Sequence, residues 1–411
     1  MRSELRLKDL GKFKTGLTYS PDNLCEPNEG ILVLRSANIQ NDKIDLNDCV
    51  YVNNKIESNM YVRKGDILVC SRNGSANLVG KTAIIEKDMN ATWGAFMMLL
   101  KTQYNSKYIN YILNAAIRKE KGRFATSTIN QLTNSMLGGI HVDIFTEEVE
   151  QQRIVDYLDA KLGIIDARIA VLEKQQDAYA RLKKSVIHQA VTRGLDPDVR
   201  LKDSGIEWIG MIPEHWEVKR IKDVVSINTQ VLPENTPYDY MFKYIDIGNV
   251  SSDGKITIGE DISFYEAPSR ARRIIKRGDV LVSTVRTYLR AIARIDFEAN
   301  DIIASTGFAV LSPKTKVDSA FVVNAIRDAY IVDAICSSST GVSYPAISAL
   351  RLSSISFAIP PLPEQQAIAS YLDEKCAKID AAIENIGKQI DASKRLKRAL
   401  INEVITGQRA V

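Results

Sequence analysis

Glu150-Gln151-Gln152-Arg153-Ile154-Val155-Asp156-Tyr157-Leu158-Asp159 returns 214 residues later as Glu364-Gln365-Gln366-Ala367-Ile368-Ala369-Ser370-Tyr371-Leu372-Asp373. At that offset, residues 150–192 and 364–406 are identical at 21 of 43 positions, far above chance, so the chain is a tandem duplication. Arg181-Leu182-Lys183 and Arg395-Leu396-Lys397 belong to the same match. Away from these segments the repeat thins to short anchors. Arg6-Leu7-Lys8-Asp9 corresponds to Arg220-Ile221-Lys222-Asp223, and Lys64-Gly65-Asp66-Ile67-Leu68-Val69 to Arg277-Gly278-Asp279-Val280-Leu281-Val282. Gly94-Ala95-Phe96 aligns with Gly307-Phe308-Ala309. A shared scaffold with divergent loops suits two copies doing one job on different targets.

Both strongly repeated segments read as long helices. Neither contains a proline after its first turn, and each would extend roughly 60–65 Å at 1.5 Å per residue. Apolar residues recur every three or four positions at Leu158, Leu162, Ile165, Ile169 and Leu172, and again at Leu372, Ile379, Ile383, Ile386 and Ile390. So narrow a stripe needs a partner helix, and the other copy is the simplest one; packing of each helix on its own domain is the alternative. The Lys/Arg-Gly-Asp turns lead into short buried strands, while Tyr104 to Lys121 and Ser319 to Ser337 read as helices. The expected fold is therefore two α/β (α+β) domains with two long helices forming an antiparallel coiled coil, a pseudo-two-fold tandem repeat. Its divisions are domain 1–145, helical region 146–195, second domain with its linker 196–360, and second helical region 361–411. The linker carries Trp208, Pro213 and Trp216 and should pack on the fold.

The 411 residues carry a net charge of only +4, so any nucleic-acid site must come from local clustering. No apolar run is long enough for a membrane span. Five cysteines without a CxxC pair argue against a disulfide framework and fit a reducing cytoplasm. There is no GxxxxGK[ST] loop, no Asn/Asp-Pro-Pro-aromatic tetrapeptide, and no metal-ligand spacing among His141, His188 and His215. His188 has Asn402 as its repeat partner, which argues against a shared catalytic role. Asp66 and Asp279 sit in turns, and turn formation explains them better than catalysis. A chain without catalysis or a bound cofactor of its own is expected.

Candidate binding residues fall in loops beside the buried strands, where a rigid scaffold presents contacts. In the first domain these are Arg35, Arg72, Asn73, Ser75, Lys81, Arg123, Ser127 and Thr128. In the second they are Arg270, Arg272, Arg273, Arg286, Tyr288, Arg290, Ser339 and Thr340. Arg and Asn match guanine and adenine edges in the major groove, while Ser, Thr and Lys hold phosphates. The bland reading of such runs is a solvated face.

The run Ile359-Pro360-Pro361-Leu362-Pro363-Glu364-Gln365-Gln366, followed by Tyr371-Leu372-Asp373, resembles the start of the conserved helical region in Type I restriction–modification specificity subunits. Glu207-Trp208-Ile209-Gly210 with Ile212-Pro213-Glu214-His215-Trp216 resembles that family's opening of a target-recognition domain, and Gly65-Asp66-Ile67-Leu68-Val69 its strand signature. The first half departs from the pattern: Asp143 to Glu150 has no Pro-Pro, and no tryptophan linker precedes Arg6. The resemblance implies a non-catalytic subunit reading a bipartite double-stranded DNA target, one half per domain, with the helices setting the spacer. It implies docking of two methyltransferase subunits carrying S-adenosylmethionine, and through them ATP- and Mg-dependent restriction subunits. Alternative readings are a specificity subunit serving a methyltransferase alone or a different restriction class, a coiled-coil scaffold for protein partners, and a stand-alone nuclease.

Overall fold

A computed structural model describes residues 2–75, 77–120, 130–341 and 344–411. Contacts divide the chain into two units, Met1–Leu172 with Lys388–Val411, and Glu173–Gly387. Each unit thus holds one globular domain, the start of one long helix and the end of the other.

The Lys/Arg-Gly-Asp turns shape both domains in the same way. Gly65 and Gly278 take φ of 91° and 90°, a region costly for any residue with a Cβ. The following aspartates close the turn: Asp66 accepts from Arg63 N–H and Asp279 from Lys276 N–H, both at 2.9 Å. The next four residues, Ile67–Cys70 and Val280–Ser283, form fully buried strands. In the first unit that strand lies in an antiparallel sheet ordered Thr82–Ile84, Ile67–Cys70, Met97–Thr102, Gly11–Thr15. In the second the order is Ile292–Arg294, Val280–Ser283, Phe308–Pro313, Val225–Ile227.

A second four-stranded sheet in each unit is built around one parallel pair. It joins Ile31–Leu34 to Ala91–Trp93 in the first and Met241–Ile245 to Ile302–Ser305 in the second. These sheets diverge at their edges. The first gains Leu24–Cys25 on one side, the second Ala271–Ile274 on the other.

Helices cover the antiparallel sheets. Ser106–Glu120 is one continuous helix. The stretch expected as a single helix over 319–337 is instead two, Ser319–Arg327 and Ala329–Ser337. Asp328 between them is extended, and its carboxylate caps the second by accepting from Ala329 N–H at 2.8 Å and faces His188 Nδ1 at 3.0 Å.

The long helices span Glu148–Arg193 and Leu362–Thr406. Within the first unit, Leu158 and Leu162 share a core with Leu400, Ile401, Val404 and Ile405, and Lys397 meets Asp166 at 2.8 Å. Within the second, Ala190 and Val191 share a core with Ile368 and Leu372, and Lys183 meets Asp380 at 2.7 Å. Residue numbers rise along one helix as they fall along the other, so the pairing in each unit is antiparallel. Both sequence expectations hold at once, because the helix ends enter domain cores that also contain strands and helices. Leu158, Leu162, Ile169, Leu172, Leu372, Ile379, Ile386 and Ile390 are buried, while Ile165 and Ile383 are half-buried.

Each long helix is tied to its own domain by a buried glutamine. Gln151 donates to Phe145 O at 2.8 Å and accepts from Asn105 N–H at 2.9 Å. Gln365 donates to Pro360 O at 2.8 Å and accepts from Asp318 N–H at 2.8 Å. The linker packs as expected at one end: Trp216 is buried and its indole N–H donates to Glu364 at 3.0 Å, whereas Trp208 stays half-exposed. Among the described residues no helix is long and apolar enough to cross a membrane.

Candidate nucleic-acid interface

The candidate loops gather where the parallel pair and the central buried strand of each domain end. In the first domain Ile31–Leu34 runs into a short 3-10 turn, Ser36–Asn38. Asn38 is fully buried and holds this turn, accepting from Arg35 N–H and donating to the carbonyls of Asp45 and Asp48, each at 2.9 Å. Asn249 does the same for Asp246 N–H at 2.8 Å. Arg35 and Asp246 therefore occupy matching positions with opposite charge.

Arg35 pairs with Asp48 at 3.0 Å. Asn73 donates to Ser36 Oγ at 3.1 Å and accepts from Ser75 N–H at 2.9 Å, which ties two candidate loops together. Arg72 lies over the ring of Phe96, 5.2 Å from its centroid. Phe96, Arg35, Tyr19 and Leu17 line a groove of about 500 Å³. Lys81 is half-buried ahead of the Thr82–Ile84 strand, outside this groove. Arg123, Ser127 and Thr128 lie outside the described residues.

The second domain has a comparable cluster. Arg270 faces Asp246 at 3.6 Å, and its carbonyl accepts from Thr306 N–H at 2.8 Å. Thr284 Oγ1 donates to Gly307 O at 2.9 Å, bringing Arg286 to the same edge. Arg286 is exposed and lies 4.8 Å from the ring centroid of Tyr344. Arg272 stacks on Phe264 at 4.5 Å within the Ala271–Ile274 edge strand. Beside it, Arg273 is half-buried, and desolvation pulls its guanidinium below the usual arginine range. Tyr288 is exposed and Arg290 faces Asp333 at 3.6 Å. Ser339 is engaged internally, donating to Ile335 O at 2.8 Å and meeting Thr287 Oγ1 at 2.9 Å. Thr340 exchanges backbone hydrogen bonds with Ala346.

Sequence reading named Tyr288 but missed the rings beneath the arginines, Phe96, Phe264 and Tyr344, and a misplaced register explains the first. Strand pairing sets Met97 opposite Cys70 and Phe308 opposite Ser283. Cys70 and Ser283 are equivalent, so Phe308 corresponds to Met97, not to the neighbour of Gly94. Phe308 is buried in the sheet, while Phe96 is 58% exposed at the candidate surface. Tyr344, 61% exposed, has no sequence signal beyond its aromatic character.

Two domains of one fold each gather arginines and exposed aromatics at their strand ends. A family model described as Type I restriction modification DNA specificity domain matches residues 3–174 and 213–391. The chain belongs to that family. It is similar to a protein of Methanocaldococcus jannaschii provisionally named the type I restriction enzyme MjaX specificity subunit, 26% identical over 417 residues, 98% of this chain and 92% of that one. The type I restriction enzyme StySPI specificity subunit of Salmonella potsdam is 22% identical over 412 residues, 96% of this chain and 86% of its own. A chain from a structure concerning complex assembly and conformational transition of the type I R-M system shares the fold. Its TM-score is 0.72 at 16% identity, covering 99% of this chain and 98% of that one.

Proposed function

We propose that this chain is the non-catalytic specificity subunit of a Type I restriction–modification complex, each domain reading one half of a bipartite double-stranded DNA target. The observation that carries this reading is the contrast between the halves. The long helices are identical at 21 of 43 positions, whereas the strand-end loops differ even in charge, as Arg35 and Asp246 do. Conserved helices suit a common pair of methyltransferase subunits and a fixed spacer; divergent loops suit two different half-sites. S-adenosylmethionine, ATP and Mg would belong to the methyltransferase and restriction subunits, and the complex would work in the cytoplasm. A scaffold that binds only proteins would leave the two arginine-bearing clusters without a role.

The test is methylation mapping in a host carrying the methyltransferase subunit, with and without this chain. The expected result is a methylated motif of two defined halves around an unspecified spacer. A continuous motif, or none, would overturn the reading.

A further inference from the structure

The geometry points to Arg72 and Arg286 as the residues that each read a guanine, one in each half-site. This rests on the two-reader function proposed above and assigns the base and the residue. Three observations carry it. First, these two guanidiniums are aromatic-braced at the strand-end loops, Arg72 on Phe96 and Arg286 on Tyr344. Second, Arg35, Arg270 and Arg290 there face carboxylates, while Arg72 and Arg286 have no carboxylate partner among the described residues. Third, Arg286 is exposed and holds a left-handed backbone, φ 52°, which Arg290 shares at φ 54° while facing Asp333, so of these two only Arg286 combines that backbone with a ring and no carboxylate.

The backbone hydrogen bonds show that the two arginines are analogous without being aligned. Ser71 N–H donates to Phe96 O at 2.9 Å and Thr284 N–H to Gly307 O at 2.8 Å, while Leu132 N–H donates to Ser71 O at 2.7 Å and Ile347 N–H to Thr284 O at 2.9 Å. Ser71 and Thr284 are thus equivalent. Val285 then stands where Arg72 stands, and Arg286 where Asn73 stands. Arg286 also leaves the extended conformation for the left-handed region, so its side chain does not follow the course set by Arg72 or Asn73. The supporting ring moves with it: Gly307 replaces Phe96, and Tyr344 supplies the ring from a different segment. Each domain has its own solution to one problem, holding an unneutralised guanidinium over an aromatic ring. The ring restrains the guanidinium, whose planar fork matches guanine O6 and N7. Arg272 is also stacked, but on an edge strand absent from the first domain.

The experiment uses the full chain assembled with its methyltransferase subunits on a randomised duplex library, scored by methylation. Arg72→Ala should lower discrimination at one G·C position of one half-site by roughly ten- to a hundredfold, leaving the other half intact. Arg286→Ala should do the same in the opposite half. Phe96→Ala should weaken the position that Arg72→Ala weakens, and Phe96→Tyr should restore it. The untouched half-site reports that each variant is folded. Uniformly weaker methylation with every base preference kept, and a salt dependence shallower by about one phosphate contact, would overturn base reading in favour of a backbone contact. So would a change in both halves from a single variant. A wild-type complex with no two-part motif would instead refute the two-reader function, and this assignment with it.

Discussion

Gln365 shows what one side chain does for the junction between a helix and its domain. Its amide is 2% exposed and serves Pro360 O and Asp318 N–H at once. Gln365→Ala would leave both backbone groups short of a partner, and an unsatisfied buried polar group costs about 1–3 kcal/mol. Gln366 is exposed, so Gln366→Ala should stay within about 0.5 kcal/mol of wild type. Denaturant titration of the two variants checks this, and equal losses would remove the latch from the account. The sequence marks Glu-Gln-Gln as repeated but cannot say why, because the reason lies in backbone groups 5 and 47 residues distant. Phe96 was misread for a related cause. The shared glycine set Phe308 against Ala95, and only strand pairing, which depends on contacts distant in sequence, shows that Phe308 matches Met97 two residues further on and that Phe96 has Gly307 as its counterpart.

At the scale of elements, the long helices were the most legible part of the chain. Their period is written in consecutive turns, and helix contacts are local. The break at Asp328 was hidden because its cause is a capping carboxylate that also meets His188 from another element. Within the helix pair, burial and charge should contribute unequally. Leu158 is fully buried among residues of both helices and the domain, so Leu158→Ala should destabilise by about 2–5 kcal/mol. Lys397 meets Asp166 at 2.8 Å, but Asp166 is half-exposed, so Lys397→Ala should cost under about 1 kcal/mol. Thermal unfolding of the two variants separates them; a larger loss at Lys397 would mean that ion pairs, not the apolar seam, hold the helices together.

For the whole molecule, the duplication makes separable predictions because it assigns different jobs to different segments. Exchanging residues 1–145 for a domain with another specificity should change one half of the methylated motif and leave the other half and the spacer alone. Changing the helices should do the reverse. Removing seven residues from each long helix preserves the apolar register, since the seam repeats at that interval. It shortens each helix by on the order of 10 Å, the rise of about three base pairs. The expected motif keeps both half-sites and loses about three base pairs of spacer. Methylation mapping of the deletion variant reads both quantities together. An unchanged spacer with active methylation would show that the helices join the readers without measuring the distance between their targets, and altered half-sites would show that the loops depend on the helices for more than support.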